Sequence, residues 1–290
     1  MDLPIVVGVD GSESALRAVD WAAEEAALRG LPLRLVYASL WERYEGSRPA
    51  EDLDRPSEEE RVEDIVAAAA RRAALRRADL KISTEVLPEE PVPALLREGR
   101  NASALVLGTR GRSGIAELLL GSVSLAVAAR AHCPVIVLRG GHDHQVTSRM
   151  RRRIVLGVGE EPEKSAAVRF AFEEARERRV PLEAVRAWRC PAHESTDHPL
   201  MSGELAHMYE QRATETLEAA LRDAPAGVEL HRRIVEGPAR KVLLDASAEA
   251  DLLVVGAQRR HGHFGLQLGR VAHAVLHHSA CPVAVVPQQG

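Results

Sequence analysis

The sequence is poor in aromatic residues and in cysteine: aromatic side chains make up 3% of its 290 residues, and it has three cysteines. Since 46% of the residues are hydrophobic, the core has to consist mainly of aliphatic side chains, which is typical of the buried strands of parallel α/β sheets. Cys133, Cys190 and Cys281 form an odd, sparse set without a CxxC spacing, which disfavours both a disulfide framework and a redox site. The cysteine content therefore favours a reducing compartment.

A strong charge of one sign is also lacking, because 38 basic and 42 acidic residues give a net charge of −4. A nucleic-acid-binding protein would carry a basic domain or stripe, so we expect no nucleic-acid partner. No stretch reaches the ~18 consecutive apolar residues of a membrane-spanning helix. The opening apolar run, within MDLPIVVGVDGS, is short and has no basic flank, unlike a signal peptide. We therefore expect a cytoplasmic protein without a membrane partner.

Common motifs of phosphate and acyl chemistry are absent as well. The sequence has no G-x-x-x-x-G-K-[ST], which excludes a P-loop NTPase, and no G-x-S-x-G nucleophile elbow. The turn after the first predicted strand has the spacing Gly8-x-x-Gly11 rather than G-x-G-x-x-G, which disfavours a dinucleotide-dependent oxidoreductase. A ligand site in this protein has to be of another kind.

Strands and helices alternate along the first half of the chain. The predicted strands cover residues 4–9, 32–38, 81–87, 104–108 and 134–138. Between them the pattern predicts four helices, of which the first runs from Glu13 to Arg29, after the N-cap Ser12 and before Gly30. The order β-α-β-α-β-α-β-α-β implies an α/β domain with a parallel sheet and helices on both faces.

The second half of the chain repeats the first at a nearly constant offset, 149 residues at the start and 148 near the end. Matching segments are 4–9 and 153–158, 103–108 and 251–256, and 130–135 and 278–283. Self-similarity along the whole chain indicates two copies of one domain. We predict domain 1 over residues 1–139, a polar linker over 140–152 and domain 2 over 153–290.

The most informative stretch runs from Gly108 to Ser124 and reads GTRGRSGIAELLLGSVS. It follows a buried strand and leads into a helix predicted over 123–132. Glycines let backbone N–H groups approach a ligand closely, and the N–H groups at a helix N-terminus favour an anion. Together with the hydroxyls of Ser122 and Ser124, this pattern predicts a phosphate-binding loop.

The spacing Gly108-x2-Gly111-x9-Gly121-Ser122 resembles the ATP-binding signature of the universal stress protein family. The GVDGS segment after the first strand and the Cys-Pro-Val segments near the end of each repeat are similar to that family too. The resemblance implies two tandem Rossmann-like domains of the HUP type, each with a five-stranded parallel sheet in the order 3-2-1-4-5. It also implies an ATP-binding regulator of the stress response, with the nucleotide at the carboxyl ends of the strands and the presence of Mg²⁺ left open.

The resemblance gives a role to each residue that matches the motif. Asp10 contacts the adenosine moiety, mainly its ribose, and Ala38 lies near the adenine. The end of the fourth strand lies under the nucleotide, and the glycine-rich loop with the following helix start meets the phosphates. The implied ATP-binding residues are Asp10, Ala38, Leu107, Gly108, Gly111, Arg112, Gly121, Ser122, Val123 and Ser124.

The second repeat departs from this pattern at three of the matching positions. It has Gly159 in place of Asp10, Arg259 in place of Gly111 and Arg270 in place of Ser122. The ribose carboxylate is thereby lost, and side chains stand where bare backbone should approach phosphate. We therefore predict an intact nucleotide site in domain 1 and a degenerate site in domain 2, which keeps its fold but binds ATP weakly or not at all.

Other classes of function stay open. No general base is evident beside the phosphate-binding loop, which favours a regulator over an enzyme. The alternative is an enzyme that uses the same site for slow ATP hydrolysis or for autophosphorylation at Ser122 or Ser124, and a third class is an interaction module with two vestigial sites. His273 and His277 have a spacing that zinc ligands use, but no carboxylate or cysteine joins them, so we expect no metal site.

The expected partners follow from the same interpretation. They are an adenine nucleotide, a regulatory protein of unknown identity, and the second domain of the same chain, which pairs with the first as two subunits of a family homodimer would. Association of two chains into a homodimer stays open.

Overall fold

The computed structural model describes residues 2–40, 58–109, 120–139, 153–161, 165–190, 199–257, 259–262 and 265–288. The chain divides into two compact units, the first unit over Met1–Leu138 and the second unit over Arg139–Gly290. The predicted linker over 140–152 lies outside the described residues, and so does the loop segment 110–119.

The first unit contains five strands and four α-helices among its described residues. The strands are β1 (Ile5–Val9), β2 (Leu33–Ala38), β3 (Ile82–Leu87), β4 (Ala104–Gly108) and β5 (Val135–Leu138). The helices are α1 (Glu13–Arg29), α2 (Glu58–Arg76), α3 (Pro91–Glu98), which continues into a 3-10 turn (Gly99–Asn101), and α4 (Ser122–Arg130). Helix α1 has the bounds that its capping residues predict.

All strand pairs of the first unit are parallel, and the strands lie in the order β3-β2-β1-β4-β5. In this register Val7 of β1 lies between Leu35 of β2 and Val106 of β4. Helix α1 packs against α2, and α3 packs against α4, so that the two pairs cover the two faces of the sheet. The predicted strand order and doubly wound architecture are confirmed for this unit.

The second unit repeats this arrangement and adds a small ribbon. Its strands are β6 (Ile154–Gly157), β7 (Leu182–Trp188), β8 (Leu230–Glu236), β9 (Leu252–Ala257), β10 (Arg259–Gly262), β11 (Gly265–Leu268) and β12 (Val283–Pro287). Its helices are α5 (Ala166–Arg178), α6 (Pro199–Leu221), α7 (Ala239–Ser247) and α8 (Arg270–His278). The parallel strands follow the order β8-β7-β6-β9-β12, whereas β10 and β11 pair antiparallel in a stretch for which the sequence predicts a loop.

The core of each unit is aliphatic, as the composition predicts. Leu35 and Ile136 in the first unit and Leu156 and Leu253 in the second are almost fully buried. Helix α1 faces the sheet with fully buried small side chains, namely Ala18, Ala22, Ala23 and Ala26. Small side chains let a helix lie close to a sheet at native packing density, so the core needs few aromatic rings. Within the described part of the chain, no helix is long and apolar enough to cross a membrane.

The first helix of each unit ends at a residue in the left-handed region. Helix α1 ends at Gly30 with φ of 66°, and α5 ends at the equivalent Arg179 with φ of 54°. In both cases the N–H group of the capping residue donates to carbonyls of the last helical turn. Because an L residue in this region costs about 1 kcal/mol or more that glycine avoids, the second unit retains strain that the first does not.

We therefore expect Arg179→Gly to raise the free energy of unfolding of the second unit by about 1 kcal/mol. The matched change Gly30→Ala should lower that of the first unit by a similar amount. The side chain of Arg179 is exposed, so its removal costs little packing. Denaturant unfolding followed by circular dichroism measures both changes, and a loss of stability in Arg179→Gly would contradict the assignment of strain.

Candidate functional site

The strand order of the first unit reverses between β1 and β4. The chain leaves β1 through α1 toward β2, and it leaves β4 toward β5 on the other side. In open parallel sheets, the crevice at the carboxyl ends of the strands beside such a reversal is the usual ligand site. The structure places Asp10 directly after β1, Gly108 at the end of β4 and Ala38 at the end of β2, so three predicted site residues meet at this edge.

Asp10 is held in a tight turn between β1 and α1. Its Oδ1 atom accepts hydrogen bonds from the Ser12 backbone N–H at 3.0 Å and from the Ser12 hydroxyl at 2.6 Å. The Ser12 Oγ atom in turn accepts a hydrogen bond from the N–H of Ala15 at 3.2 Å and so caps α1. Gly11 between them has φ of 79° and lies against Ile65 of α2. The carboxylate therefore has a defined position at the carboxyl end of the sheet.

Gly108 allows β4 to end directly against the first turn of α1. A Cβ atom at this position would lie 2.2 Å from Ser14 Oγ and 2.7 Å from the Ser14 carbonyl group. Backbone atoms of a helix cannot give way as the end of a side chain can, so only glycine fits here. The sequence assigns Gly108 to the nucleotide site, and the structure shows that it also has a packing role.

Helix α4 begins where the loop after β4 ends, and two hydrogen bonds fix that junction. The N–H group of Gly121 donates to the carbonyl oxygen of Thr109 at 2.6 Å. The hydroxyl of Ser124, which is 6% exposed, donates to the carbonyl oxygen of Gly108 at 2.7 Å. The hydroxyl of Ser124 is thus engaged in a hydrogen bond within the protein. The group of Ser124 that remains for a ligand is its backbone N–H.

The first turn of α4 is the part of this junction that suits an anion. N–H groups in the first turn of an α-helix have no intrahelical acceptor and carry the positive end of the helix dipole. In α4 these groups belong to Ser122, Val123 and Ser124, and Ser122 is exposed. Gly121 is the N-cap, with an extended backbone and no side chain above the N-terminus.

The remaining predicted residues differ in what the structure shows of them. Leu107 is 4% exposed and packs against Gly8, so its side chain belongs to the core. Gly111 and Arg112 lie outside the described residues. The sequence does not predict that Thr109 and Ser14 contribute to the site. Thr109 acts through its backbone carbonyl and Ser14 through a close backbone contact, and neither depends on the type of residue.

The matching edge of the second unit is built differently. Gly159 stands at the position of Asp10, and apart from its two chain neighbours no described residue lies within 4 Å of where its Cβ would be. The carboxylate of Glu160 instead forms a 2.8 Å ion pair with Arg186, which also donates to the carbonyl oxygen of Val158 at 3.1 Å. Arg270 opens α8 and is exposed. The second unit therefore lacks a carboxylate at the position of Asp10 and has a cation at the position of Ser122.

The histidines of α8 pack with one another. The rings of His273 and His277 stack with centroids 4.4 Å apart. Burial, together with the neighbouring His273 and His278, lowers the pKa of His277. No group of three or more histidine, cysteine or acidic residues in the described ranges could hold a metal ion. Burial raises the pKa of the Cys133 thiol to about 11, which makes this cysteine a poor nucleophile at neutral pH.

The two units share one doubly wound α/β topology. In each of them a helix begins beside the reversal of strand order, so the chain is a tandem parallel-sheet protein. The sequence model of the Universal stress protein family matches residues 3–139 and 150–287, which is nearly the whole chain in two copies. The chain belongs to the universal stress protein family, and the resemblance inferred from its motifs is confirmed.

Several relatives are similar to the whole chain or to one copy of the domain. Universal stress protein Rv2005c of Mycobacterium tuberculosis is 33% identical over 300 residues, which cover 98% of this chain and 97% of that protein. The crystal structure of a universal stress protein from Archaeoglobus fulgidus covers 99% of this chain and 98% of its own, with a TM-score of 0.67 at 19% identity, and shows the shared fold. A universal stress protein crystallised in complex with cAMP covers 47% of this chain and 97% of its own, at 33% identity and a TM-score of 0.37.

Gly256 is the counterpart of Gly108 in the second unit. Comparing substitutions at the two glycines separates the packing role of Gly108 from its predicted ligand role. A Cβ atom on Gly256 would meet Nε2 of Gln288, the far end of a flexible side chain. We expect Gly108→Ala to lower the free energy of unfolding by about 1–3 kcal/mol and Gly256→Ala to lower it by less. Calorimetric melting of both variants tests this, and equal losses would show that the contact with Ser14 is not decisive.

Proposed function

We propose that the first unit binds an adenine nucleotide, ATP in the first instance, and that the protein is a nucleotide-dependent regulator of the stress response. One observation carries the proposal. The Asp10 carboxylate and the N-terminus of α4 stand at the carboxyl ends of the paired strands β1 and β4, where the strand order reverses. A site with a carboxylate on one side and helix N–H groups on the other matches a ligand with hydroxyls at one end and phosphates at the other.

The two halves of this site have separate tasks. The N–H groups of Ser122, Val123 and Ser124, with the Ser122 hydroxyl, bind phosphate oxygens, because they offer donors and positive potential without a competing side chain at Gly121. The Asp10 carboxylate accepts hydrogen bonds from the ribose hydroxyls. Both of its contacts with Ser12 use Oδ1, so we assign the ribose to Oδ2.

The same assignment favours regulation over catalysis. Asp10 is the one acidic residue among the site residues that the structure describes, and its task is to hold the ribose. Those residues then include no general base to activate water and no lysine to stabilise a transferring phosphoryl group, which fast phosphoryl transfer requires. In this proposal the bound nucleotide acts by favouring one state of a partner-binding surface over another.

The second unit has no equivalent of this adenosine recognition among its described residues. Gly159 supplies no carboxylate for a ribose, and Arg270 places a long side chain at the start of α8. We therefore propose that high-affinity ATP binding occurs at one site per chain, in the first unit.

Two variants of the full chain test the site by isothermal titration with ATP, in the presence and absence of Mg²⁺. Asp10→Asn keeps an oxygen that can accept from Ser12 but replaces the second oxygen by a donor, and Gly121→Val adds a side chain at the N-cap, where the backbone is extended and tolerates it. We expect each to weaken ATP binding by about tenfold or more, the cost of one or two lost charge-assisted hydrogen bonds.

The matched control is Gly269→Val, at the N-cap of α8, whose backbone is extended like that of Gly121. It should leave ATP affinity unchanged, and all three variants should retain their circular dichroism spectra. Unchanged affinity in Asp10→Asn or Gly121→Val, or a second ATP site that binds as tightly as the first in the unsubstituted protein, would contradict the proposal.

A further inference from the structure

The second unit contains a cavity of about 1280 Å³ that the nucleotide proposal leaves unused. It lies among the carboxyl end of β7, helix α6, and helices α7 and α8. This volume exceeds the roughly 300–1,000 Å³ of ordinary small-ligand pockets. The cavity is therefore large enough for a sizeable polar ligand.

The charged residues on its wall are mostly cations. Six basic side chains line it, against the two acidic side chains of Glu160 and Asp245. The six are Arg186, Arg189, Arg212, Arg240, Lys241 and Arg270. This excess of positive charge stands in a chain whose net charge is −4, so it is a local concentration and not a property of the whole surface. A cleft lined by one sign of charge raises the local concentration of ions of the other sign.

Most of these cations are available to a ligand. Arg186 is held by Glu160 and by the carbonyl oxygen of Val158, and its buried Nε atom has no hydrogen-bond partner among the described residues. The other five basic side chains form no ion pair with any residue that the structure describes. Their mutual repulsion is relieved by binding an anion, which supplies a driving force for occupancy.

Comparison of the two repeats shows that four of the six lining cations occur in the second unit only. At the offsets of 148 and 149 residues, four of the lining cations replace neutral residues of the first unit. Arg186 replaces Tyr37, Arg240 replaces Val92, Lys241 replaces Pro93 and Arg270 replaces Ser122. The scaffold around them is kept, since the buried pair Val242 and Leu243 of α7 matches the buried pair Ala94 and Leu95 of α3. Four differences at the cavity wall thus add positive charge, whereas two, Glu160 in place of Gly11 and Asp245 in place of Arg97, add negative charge.

We propose that this cavity binds an anion that carries several phosphate groups and that it needs no adenosine moiety for recognition. The loss of the carboxylate at Gly159 and the gain of four cations are then two parts of one change, from nucleoside recognition in the first unit to polyphosphate recognition in the second. The rim cations Arg240, Lys241 and Arg270 are exposed and meet the phosphates, while Arg186 provides a fixed charge deeper in the cavity.

The test uses the full chain carrying Gly121→Val, which blocks the proposed site of the first unit. Isothermal titration with orthophosphate, pyrophosphate and tripolyphosphate should give affinities that rise in that order, with one tripolyphosphate per chain and an affinity that falls as salt is added.

The decisive variant is Arg240→Gln/Lys241→Gln, which removes two exposed charges of the cavity without touching the core. We expect tripolyphosphate binding to weaken about tenfold or more, with Arg270→Gln as a second, independent variant. Arg232→Gln, an exposed arginine of β8 outside the cavity, is the matched control and should have no effect.

Three results would overturn the proposal: no tripolyphosphate binding, equal affinity for orthophosphate and tripolyphosphate, or equal effects of the cavity variants and Arg232→Gln. None of them bears on ATP binding by the first unit, so the two proposals fail separately.

Discussion

The close approach of β4 to the start of α1 at Gly108 is the contact on which the rest of the first site depends. With no Cβ atom between them, the strand ends against the backbone of Ser14, and its last carbonyl accepts a hydrogen bond from the hydroxyl of Ser124. Helices α1 and α4, which flank the reversal of strand order, thus both contact Gly108. Asp10 and the N-terminus of α4 owe their relative positions to this junction, and a ligand site built from them needs no movement of the sheet.

The duplication shows which residues serve the fold and which serve a ligand. Both units keep the strand order, the aliphatic core and the left-handed C-cap of the first helix, because these features satisfy packing and backbone hydrogen bonds whatever the protein binds. The residues at the carboxyl edge of the sheet are not needed for packing in this way, and at this edge the two repeats differ in charge. Gly159 in place of Asp10 and Arg270 in place of Ser122 show that one scaffold can present different chemistry at equivalent positions.

Much of the fold can be predicted because its signals are local. Ser12 and Gly30 mark the two ends of α1, and the alternation of strands and helices predicts the parallel sheet. The β10–β11 ribbon escapes prediction because two four-residue strands are too short to show a period. The left-handed conformation of Arg179 is also not predicted. Only the match with Gly30 in the first repeat indicates this conformation, and arginine as a residue type argues against it.

The sequence by itself determined the family, the two copies and the residues that distinguish one copy from the other, because motif spacing and repeat offset are properties of the chain alone. Only the tertiary structure decided that the hydroxyl of Ser124 bonds to Gly108 and that the N–H group of Gly121 bonds to Thr109. It also decided that Arg186, Arg240 and Arg270, which are far apart in the sequence, line one cavity. The physical reason is that backbone hydrogen bonds and the convergence of distant side chains depend on how strands and helices pack, which no local pattern of residues encodes.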